Sequence, residues 1–266
     1  MENFRQSAIA KDNPNEKNSG VITQPIKKLK SMVRDIELLI KRGEKTLNIE
    51  GLSARFIIDT KSDVYRLNEK FEEKYAKEII NALKNSGENG FAVNVGAAQG
   101  FYTIFSALAG NHTLAIEPDP ITFNALQANV ELNGLTKKID CMKCAIGNIK
   151  GEETLFFDKV RNSAPSFIKN SNNTEEIKVP VFRMDEIIKQ NPDILIVDVE
   201  GYEGHVLRGM GELRPKEIFI EIHPDFLIKI GTDQSSVKKL LSDMGYKLQN
   251  QYKRKGELLC HYTKNK

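Results

Sequence analysis

The sequence contains no tryptophan, only three cysteines and little excess charge of either sign. Its longest apolar run, Ile194–Val197, is far shorter than the roughly 20 residues that a membrane-spanning helix needs. The formal net charge is +3, with 39 basic residues scattered among 36 acidic ones, which argues against a nucleic-acid-binding surface. The first residues lack the apolar core of a signal peptide, so we expect a cytoplasmic protein.

Two of the cysteines, Cys141 and Cys144, form a C-x-x-C pattern, which occurs in metal and redox sites. They fall within a predicted strand, 139–145, where residues three apart point to opposite faces. No second Cys/His pair of suitable spacing accompanies them. We therefore expect reduced thiols that bind no metal.

The most informative stretch runs from Phe91 to Asp119, FAVNVGAAQGFYTIFSALAGNHTLAIEPD. A short apolar run breaks at Gly96, Gly100 precedes a helical segment, and a second apolar run ends at Glu117. This order of strand, glycine turn, helix, strand and acid is typical of a βαβ nucleotide-binding unit, in which the acid accepts hydrogen bonds from ribose hydroxyls. A βαβ unit whose glycines serve packing alone is the alternative interpretation.

The spacing of the glycines indicates which nucleotide fits. Dinucleotide-binding turns need a further glycine so that the backbone can approach a pyrophosphate. The turn here, Gly-Ala-Ala-Gln-Gly from Gly96 to Gly100, lacks it, which disfavours a nicotinamide dehydrogenase. S-adenosylmethionine has a ribose and an adenine but no phosphate, so this turn suits it.

The rest of the chain suggests three regions. Residues 1–25 are polar and lack periodicity, which predicts a disordered tail. Residues 26–86 form an extension of helix and hairpin patterns that we interpret as a cap or lid. Its first helix, 26–41, is basic and amphipathic; it either docks on its own domain or makes peripheral contact with a membrane or partner. Residues 87–266 form the main domain, and its long polar loop Lys159–Thr174 is a candidate substrate lid.

Strand and helix patterns alternate through the main domain and end in a hairpin, which predicts a doubly wound α/β sheet with one antiparallel strand. In such sheets ligands bind at the carboxyl ends of the strands. Five polar or small residues are placed at such ends: Asn94, Glu117, Ala145, Asp198 and Glu221. The backbone near Ala145 is placed to contact an adenine ring. These ends together predict a genuine binding site.

The segments VNVGAAQGFYT, IEPDP, ANVELNG, AIG, VDVEGYEGHVLRGM and IEIHP occur in an order and spacing that resembles the FkbM family of methyltransferases. The resemblance covers roughly residues 87–224. It implies a Rossmann-like methyltransferase fold with a mostly parallel seven-stranded sheet and a C-terminal antiparallel hairpin. It also implies S-adenosylmethionine as methyl donor and a hydroxyl on a sugar, glycolipid or other natural product as methyl acceptor.

The resemblance also implies roles for individual residues. The first motif, which would hold the methionine part of the donor, comprises Asn94, Gly96, Ala97 and Gly100. Glu117 matches the ribose-binding acid, and Asp119 either assists near the adenine or caps the next helix. The family usually has aspartate where this chain has Asn94, so donor affinity is weaker or another acid compensates.

Transfer to an alcohol also needs a base to take the hydroxyl proton. The family motif places Asp198 for this role, and His223 is the natural chemical choice because its unperturbed pKa lies near neutrality. Glu200 shares a strand face with Asp198, and the remaining acids near this rim, Glu203 and Glu221, are candidate substrate ligands. A divalent cation held by Asp198, Glu200 and Glu221 is the alternative, but we expect no metal.

Other functions remain compatible with the sequence. One is methylation of RNA or protein, and another is a catalytically inactive module that keeps only the nucleotide pocket. A small-molecule or glycan acceptor is the favoured partner.

Overall fold

The computed structural model describes residues 43–58, 73–157, 165–169 and 174–265. The predicted tail 1–25 and the basic helix 26–41 lie outside these residues, so peripheral membrane contact through that helix stays a prediction. Within the described part of the chain, no helix is long and apolar enough to span a bilayer.

The described residues form twelve strands and seven helices. In chain order the strands are β1 (Gly43–Ile49), β2 (Leu52–Ile58), β3 (Phe91–Val95), β4 (His112–Ile116), β5 (Ile139–Met142), β6 (Ala145–Ile146), β7 (Gly151–Phe157), β8 (Glu175–Phe182), β9 (Ile194–Val197), β10 (Glu217–Ile222), β11 (Tyr246–Arg254) and β12 (Glu257–Lys264). The helices are α1 (Glu73–Asn85), α2 (Phe101–Leu108), α3 (Pro120–Leu132), α4 (Met184–Ile187), α5 (Glu203–Gly209), α6 (Pro224–Lys229) and α7 (Gln234–Asp243).

Seven strands form the main sheet in the order β11-β12-β10-β9-β3-β4-β5. The strands from β10 to β5 are parallel, and β12 runs antiparallel to both β10 and β11. All four residues of β9 are buried, as its continuous apolar run predicts for a strand covered on both faces. The predicted seven-stranded α/β sheet with its antiparallel hairpin is thereby confirmed.

A second sheet of three strands, ordered β6-β8-β7, was not expected and corrects the placement of Ala145. The sequence predicts one strand over 139–145, but β5 ends at Met142 and Ala145 begins β6, where it pairs with Val181. The physical reason is register. Because β4 ends at Ile116, directly opposite Met142, the residues beyond have no neighbouring strand in the main sheet.

The predicted N-terminal hairpin exists, and it packs against the outer surface of the main domain. Phe56 of β2 is fully buried, and its ring centroid lies 6.0 Å from that of Phe101 and 6.4 Å from that of Phe105 in α2. Asn129 of α3 accepts a hydrogen bond from the Ile57 amide at 2.8 Å. Asn129 also donates to the carbonyl of Gln99 at 2.9 Å, so one side chain connects the hairpin to the glycine turn.

A hydrogen-bonded histidine joins α1 to the C-terminal hairpin. His261 of β12 lies 2.7 Å from Glu78 of α1 through Nδ1 and 2.8 Å from Glu217 of β10 through Nε2. Its ring stacks on Phe219 at 4.1 Å. Burial alone would lower the pKa of His261, but the hydrogen bonds to Glu217 and Glu78 raise it above its usual value. Both ring nitrogens therefore donate in the charged form.

The stability that His261 contributes should fall as pH rises. A folded-state pKa raised above the unfolded value gives stability that is complete below about pH 6.5 and is lost as the pH passes the folded pKa. We expect His261→Gln to cost about 1.5–3 kcal/mol of unfolding free energy near pH 6, since its bonds are to charged groups, and less near pH 9. Urea unfolding of both proteins at the two pH values measures this, and an equal difference at both would contradict it.

Candidate active site

The glycine turn after β3 lies against the end of β9. A Cβ atom added to Gly96 would lie 1.7 Å from the carbonyl oxygen of Asp198, and Gly96 has a φ of +79°. No other residue type fits here, because both the contact and the backbone conformation exclude a side chain. The amides of Gly96 and Ala97 donate to the carbonyl of Ile116 at 2.9 and 3.0 Å, which fixes the turn to β4.

Glu117, the residue after β4, is held by backbone amides on both sides of its carboxylate. The amide of Ala98 donates to Oε2 and the amide of Asp119 to Oε1, each at 2.9 Å. Ala98 has a positive φ of 50°. The side chain is buried. The carboxylate is therefore fixed at the carboxyl end of β4, where the sequence predicts it.

A cleft of about 650 Å³, including the part open to solvent, lies between this turn and the three-stranded sheet. Three acids contribute to its lining: Glu117, Asp198 and Glu200. The rest of the lining is largely apolar, with contributions from Val95, Ile116, Pro118, Cys144, Ala145, Ile146, Leu155, Pro165, Phe167 and Val199. A cleft with apolar walls and several acids suits a ligand that has one flat apolar part and several polar groups.

The predicted donor residues divide into two groups. Gly96, Glu117 and Ala145 line the cleft. The lining does not include Asn94, Ala97, Gly100 or Asp119. Their donor-binding roles stay predictions, and their contacts in the structure are as follows.

Asn94 is buried inside β3 and donates from Nδ2 to Oγ1 of Thr103 in α2 at 3.0 Å. Ala97 packs in the apolar cluster beneath the hairpin. Gly100 precedes α2 with a φ of +94°, and a Cβ there would lie 2.7 Å from Leu126. Asp119 caps α3 by accepting from the amide of Thr122 at 3.0 Å. For Asp119 the structure thus shows the cap, one of the two roles that the sequence allows.

Part of the predicted lid lies over the cleft. Within the described segment 165–169, Pro165 and Phe167 line the cleft. Ser166 pairs with Phe156 of β7 through two backbone hydrogen bonds of 2.9 and 3.0 Å. Its hydroxyl donates to the carbonyl of Glu200 at 2.9 Å. This segment therefore joins the wall of the cleft to the loop that carries the acids.

Beyond Asp198 and Glu200, the polar residues converge on His223, which follows β10 and is 3% exposed. Its Nδ1 lies 2.7 Å from Oε1 of Glu203, which also accepts from the amide of Gly201 at 2.9 Å. Its Nε2 lies 3.7 Å from Asp198 Oδ1. The same atom lies 3.5 Å from Glu200 Oε2 and 3.5 Å from Glu221 Oε1.

These charges strongly affect the histidine. Burial alone would lower the pKa of His223, but the hydrogen bond to Glu203 and the negative charges of Glu200 and Asp198 raise it to about 10. The structure thus brings together all five residues that the sequence assigns to catalysis or substrate binding: Asp198, Glu200, Glu203, Glu221 and His223.

Two members of this cluster were missed by the sequence analysis. Arg254 of β11 donates to Glu221 and to Glu257, the latter at 2.7 Å, and so brings the C-terminal hairpin to the site. Arg254 lies within the predicted hairpin turn Lys-Arg-Lys-Gly, and Glu257 follows that turn directly. Nothing in that pattern signals a site, because the contact depends on the antiparallel pairing of β12 with β10.

The cluster contains two groups of side chains with metal-ligand atoms within 4.8 Å of one another. One consists of Asp198, Glu200 and His223, and the other of Glu221, His223 and Glu257.

A cleft at the carboxyl ends of a mostly parallel sheet, with a glycine turn, a fixed acid after β4 and a polar cluster after β9, defines a Rossmann-like methyltransferase. Residues 94–248 match the Methyltransferase FkbM domain, and the chain belongs to that family. The matched segment is thus a methyltransferase domain. Every site residue predicted from the sequence lies inside the matched segment.

Two characterised relatives are methyltransferases. Methyltransferase 1 of Beauveria bassiana is 27% identical over 150 residues, which cover 47% of this chain and 60% of that protein. Hexuronic acid methyltransferase AglP of Haloferax volcanii is 24% identical over 206 residues, or 76% of this chain and 81% of the relative.

Solved structures of similar fold share little sequence. Precorrin-6y C5,15-methyltransferase of Geobacter metallireducens superposes with a TM-score of 0.46 at 11% identity, covering 71% of this chain and 87% of the other. The tRNA m1G37 methyltransferase of M. jannaschii also has a TM-score of 0.46, at 13% identity, covering 85% of this chain and 56% of the other.

The contact between Gly96 and Asp198 predicts the effect of one added methyl group. We expect Gly96→Ala to lower the free energy of unfolding by about 1–3 kcal/mol, because the new Cβ overlaps a backbone oxygen that has little room to move. Gly151→Ala is the matched control, since a Cβ at Gly151 meets nothing within 4 Å, and it should change stability by less than about 0.5 kcal/mol. Urea unfolding compares them, and equal stability of the two variants would contradict the close contact.

Proposed function

We propose that this protein transfers the methyl group of S-adenosylmethionine to an oxygen of a sugar-type acceptor. The proposal rests on Asp198 and Glu200. Both residues line the donor cleft, and both also lie in the cluster around His223. A methyl group beside these two acids would meet an acceptor oxygen held by the cluster.

The residues of the cleft fit the donor. The amides of Ala98 and Asp119 fix the carboxylate of Glu117 at the carboxyl end of β4, where an acid in this fold binds ribose hydroxyls. Ile146, Leu155 and Phe167 provide apolar surface for the adenine. Gly96 and Ala145 allow close approach of the backbone. Asn94, which donates to Thr103, supports the turn from behind in this proposal.

The reaction would be an in-line displacement at the sulfonium methyl group. The bond from carbon to sulfur breaks as the bond to the acceptor oxygen forms, and S-adenosylhomocysteine leaves. Alignment and exclusion of water supply much of the acceleration, since the donor is already activated. If the acceptor is a hydroxyl, its proton passes to Asp198, which lies at the junction of cleft and cluster. His223 then positions this carboxylate.

The acceptor class is argued from the cluster and from one relative. Carboxylates accept hydrogen bonds from hydroxyls, and three of them surround the junction: Asp198, Glu200 and Glu221. The Haloferax volcanii relative is named for hexuronic acid, which offers both hydroxyls and a carboxylate as methyl acceptors. The 39 basic residues are scattered among 36 acidic ones, which does not favour RNA, so we favour a glycan or small-molecule acceptor in the cytoplasm.

The donor site is tested by binding. We expect Glu117→Ala to bind S-adenosylmethionine at least about tenfold more weakly than the wild type, because hydrogen bonds to a charged group contribute about 1.5–3 kcal/mol. Isothermal titration calorimetry measures it, with Glu131→Ala, an exposed acid on α3, as the matched control. Unchanged affinity in Glu117→Ala, or no binding by the wild type, would overturn the proposed donor site.

The role of Asp198 is tested with p-nitrophenyl glucoside and p-nitrophenyl glucuronide, following S-adenosylhomocysteine formation. For hydroxyl methylation, Asp198→Asn should lower kcat by about 10²–10⁴-fold, as expected for loss of a general base. A carboxylate needs no deprotonation, so ester formation on the glucuronide would be much less affected. Mild alkali releases methanol from an ester and leaves an ether intact. Wild-type turnover by Asp198→Asn on the glucoside would refute the assigned role.

A further inference from the structure

His223 has one ring nitrogen with a hydrogen-bond partner and one facing several acids. The carboxylate of Glu203 accepts only, so Nδ1 donates to it and fixes the tautomer of a neutral ring. The lone pair then lies on Nε2, at 3.5–3.7 Å from oxygens of Asp198, Glu200 and Glu221. A lone pair among carboxylate oxygens is repulsive unless a cation, either a proton or a metal ion, lies between them.

The distances favour a metal ion. A protonated imidazole bonds a carboxylate at about 2.7–2.9 Å, as Nδ1 does with Glu203. The Nε2 distances of 3.5 and 3.7 Å to Glu200 and Asp198 exceed that range. Two neighbouring ligand atoms that each lie about 2.1 Å from an ion are about 3.0 Å apart in octahedral geometry and about 3.4 Å apart in tetrahedral geometry, so both separations exceed a direct hydrogen bond.

The hydrogen bond on the far side of the ring is the second observation. Histidines that bind metals almost always donate the other ring N–H to a carboxylate or carbonyl, which orients the ring. Glu203 does this for His223 from a fully buried position, and the Gly201 amide holds Glu203 in turn. His223 itself is 3% exposed. The ring is therefore buried and aimed with Nε2 into the cluster.

We propose that Asp198, Glu200 and His223 form a binding site for a divalent metal ion. The proposal rests on the function proposed above, because the ion would act at the same acceptor oxygen. From the sequence alone we expect no metal, with Asp198, Glu200 and Glu221 as the alternative ligands. The structure replaces Glu221 with His223 in that set.

The second possible set, Glu221, His223 and Glu257, is less suited to an ion. Arg254 donates to both of its carboxylates, so a fixed positive charge already lies beside them. A metal ion there would meet that charge at close range. Asp198 and Glu200 also line the donor cleft, whereas Glu221 and Glu257 do not.

One imidazole and two carboxylates are a mixed ligand set that suits Mn²⁺, Fe²⁺ or Zn²⁺ better than Mg²⁺, which is usually bound by oxygen alone. Such an ion lowers the pKa of a bound hydroxyl and so favours the form that attacks the methyl group. Asp198, Glu200 and His223 would hold it at the junction of cleft and cluster, beside the acceptor oxygen.

Mn²⁺ binding to the full-length chain, after removal of metals with EDTA, tests the proposal without any donor or acceptor. Free Mn²⁺ gives an electron paramagnetic resonance signal that is lost on binding. We expect one saturable site per chain, binding at least about tenfold weaker in Glu200→Gln and His223→Ala, and about 10–100-fold weaker in Glu203→Leu, which removes the acceptor of the outer hydrogen bond. Glu200→Gln is nearly isosteric and partly exposed, so it keeps the test valid if His223→Ala fails to fold.

His261→Gln is the matched control. His261 also lies between two acids, but both of its nitrogens are within 2.7–2.8 Å of a carboxylate, so it should not contribute to Mn²⁺ binding. No saturable binding by the wild type, or equal binding by wild type, Glu200→Gln and His223→Ala, would overturn the site. Methyl transfer at full rate in EDTA would also overturn it while leaving the proposed function intact. Saturable Mn²⁺ binding without transfer to either glycoside would support the metal site and count against the acceptor class.

Discussion

The close approach of Gly96 to Asp198 is the constraint on which the site depends. The turn that follows β3 and the loop that follows β9 meet backbone to backbone, at a place where any side chain would overlap the carbonyl of Asp198. The first segment contains Ala98, whose amide donates to Glu117. The second segment carries the acids around His223. Because β3 and β9 are adjacent and in parallel register, this contact holds the two segments together at the carboxyl edge of the sheet.

Histidine and carboxylate side chains are combined differently at two places in the molecule. His261 binds Glu78 and Glu217 with both ring nitrogens and joins α1 to the sheet. His223 binds one acid through Nδ1 and turns Nε2 toward several more. The difference lies in geometry rather than composition, since each ring is surrounded by carboxylates and largely buried. In the first arrangement both ring nitrogens lie at hydrogen-bonding distance, whereas in the second the Nε2 distances of 3.5–3.7 Å are longer than a direct charge-assisted bond.

The sequence predicts the elements whose signals are local. The apolar run of β9, the glycine turn and the acid after β4 all follow from neighbouring residues, and the polar strand ends correctly predict that Asp198, Glu221 and His223 lie together. It does not predict features that depend on pairing between distant segments. Ala145 belongs to a separate small sheet because β4 is too short to pair beyond Met142.

Contacts that depend on side-chain direction or on the C-terminal hairpin could not be predicted from the sequence either. Asn94 points to Thr103 rather than to the cleft, because it lies within β3 and faces the helix layer. Arg254 reaches Glu221 only because β11 and β12 fold back onto β10.

The docking of the N-terminal hairpin has a consequence for where the catalytic unit begins. A chain cut at residue 87 would keep every residue of the cleft, yet it would expose the apolar surface beneath Phe56 to water. It would also remove the Ile57 amide from Asn129, the side chain that holds the carbonyl of Gln99 in the glycine turn. The hairpin therefore belongs to the same packed unit as the cleft, although it contributes nothing to the lining of the cleft.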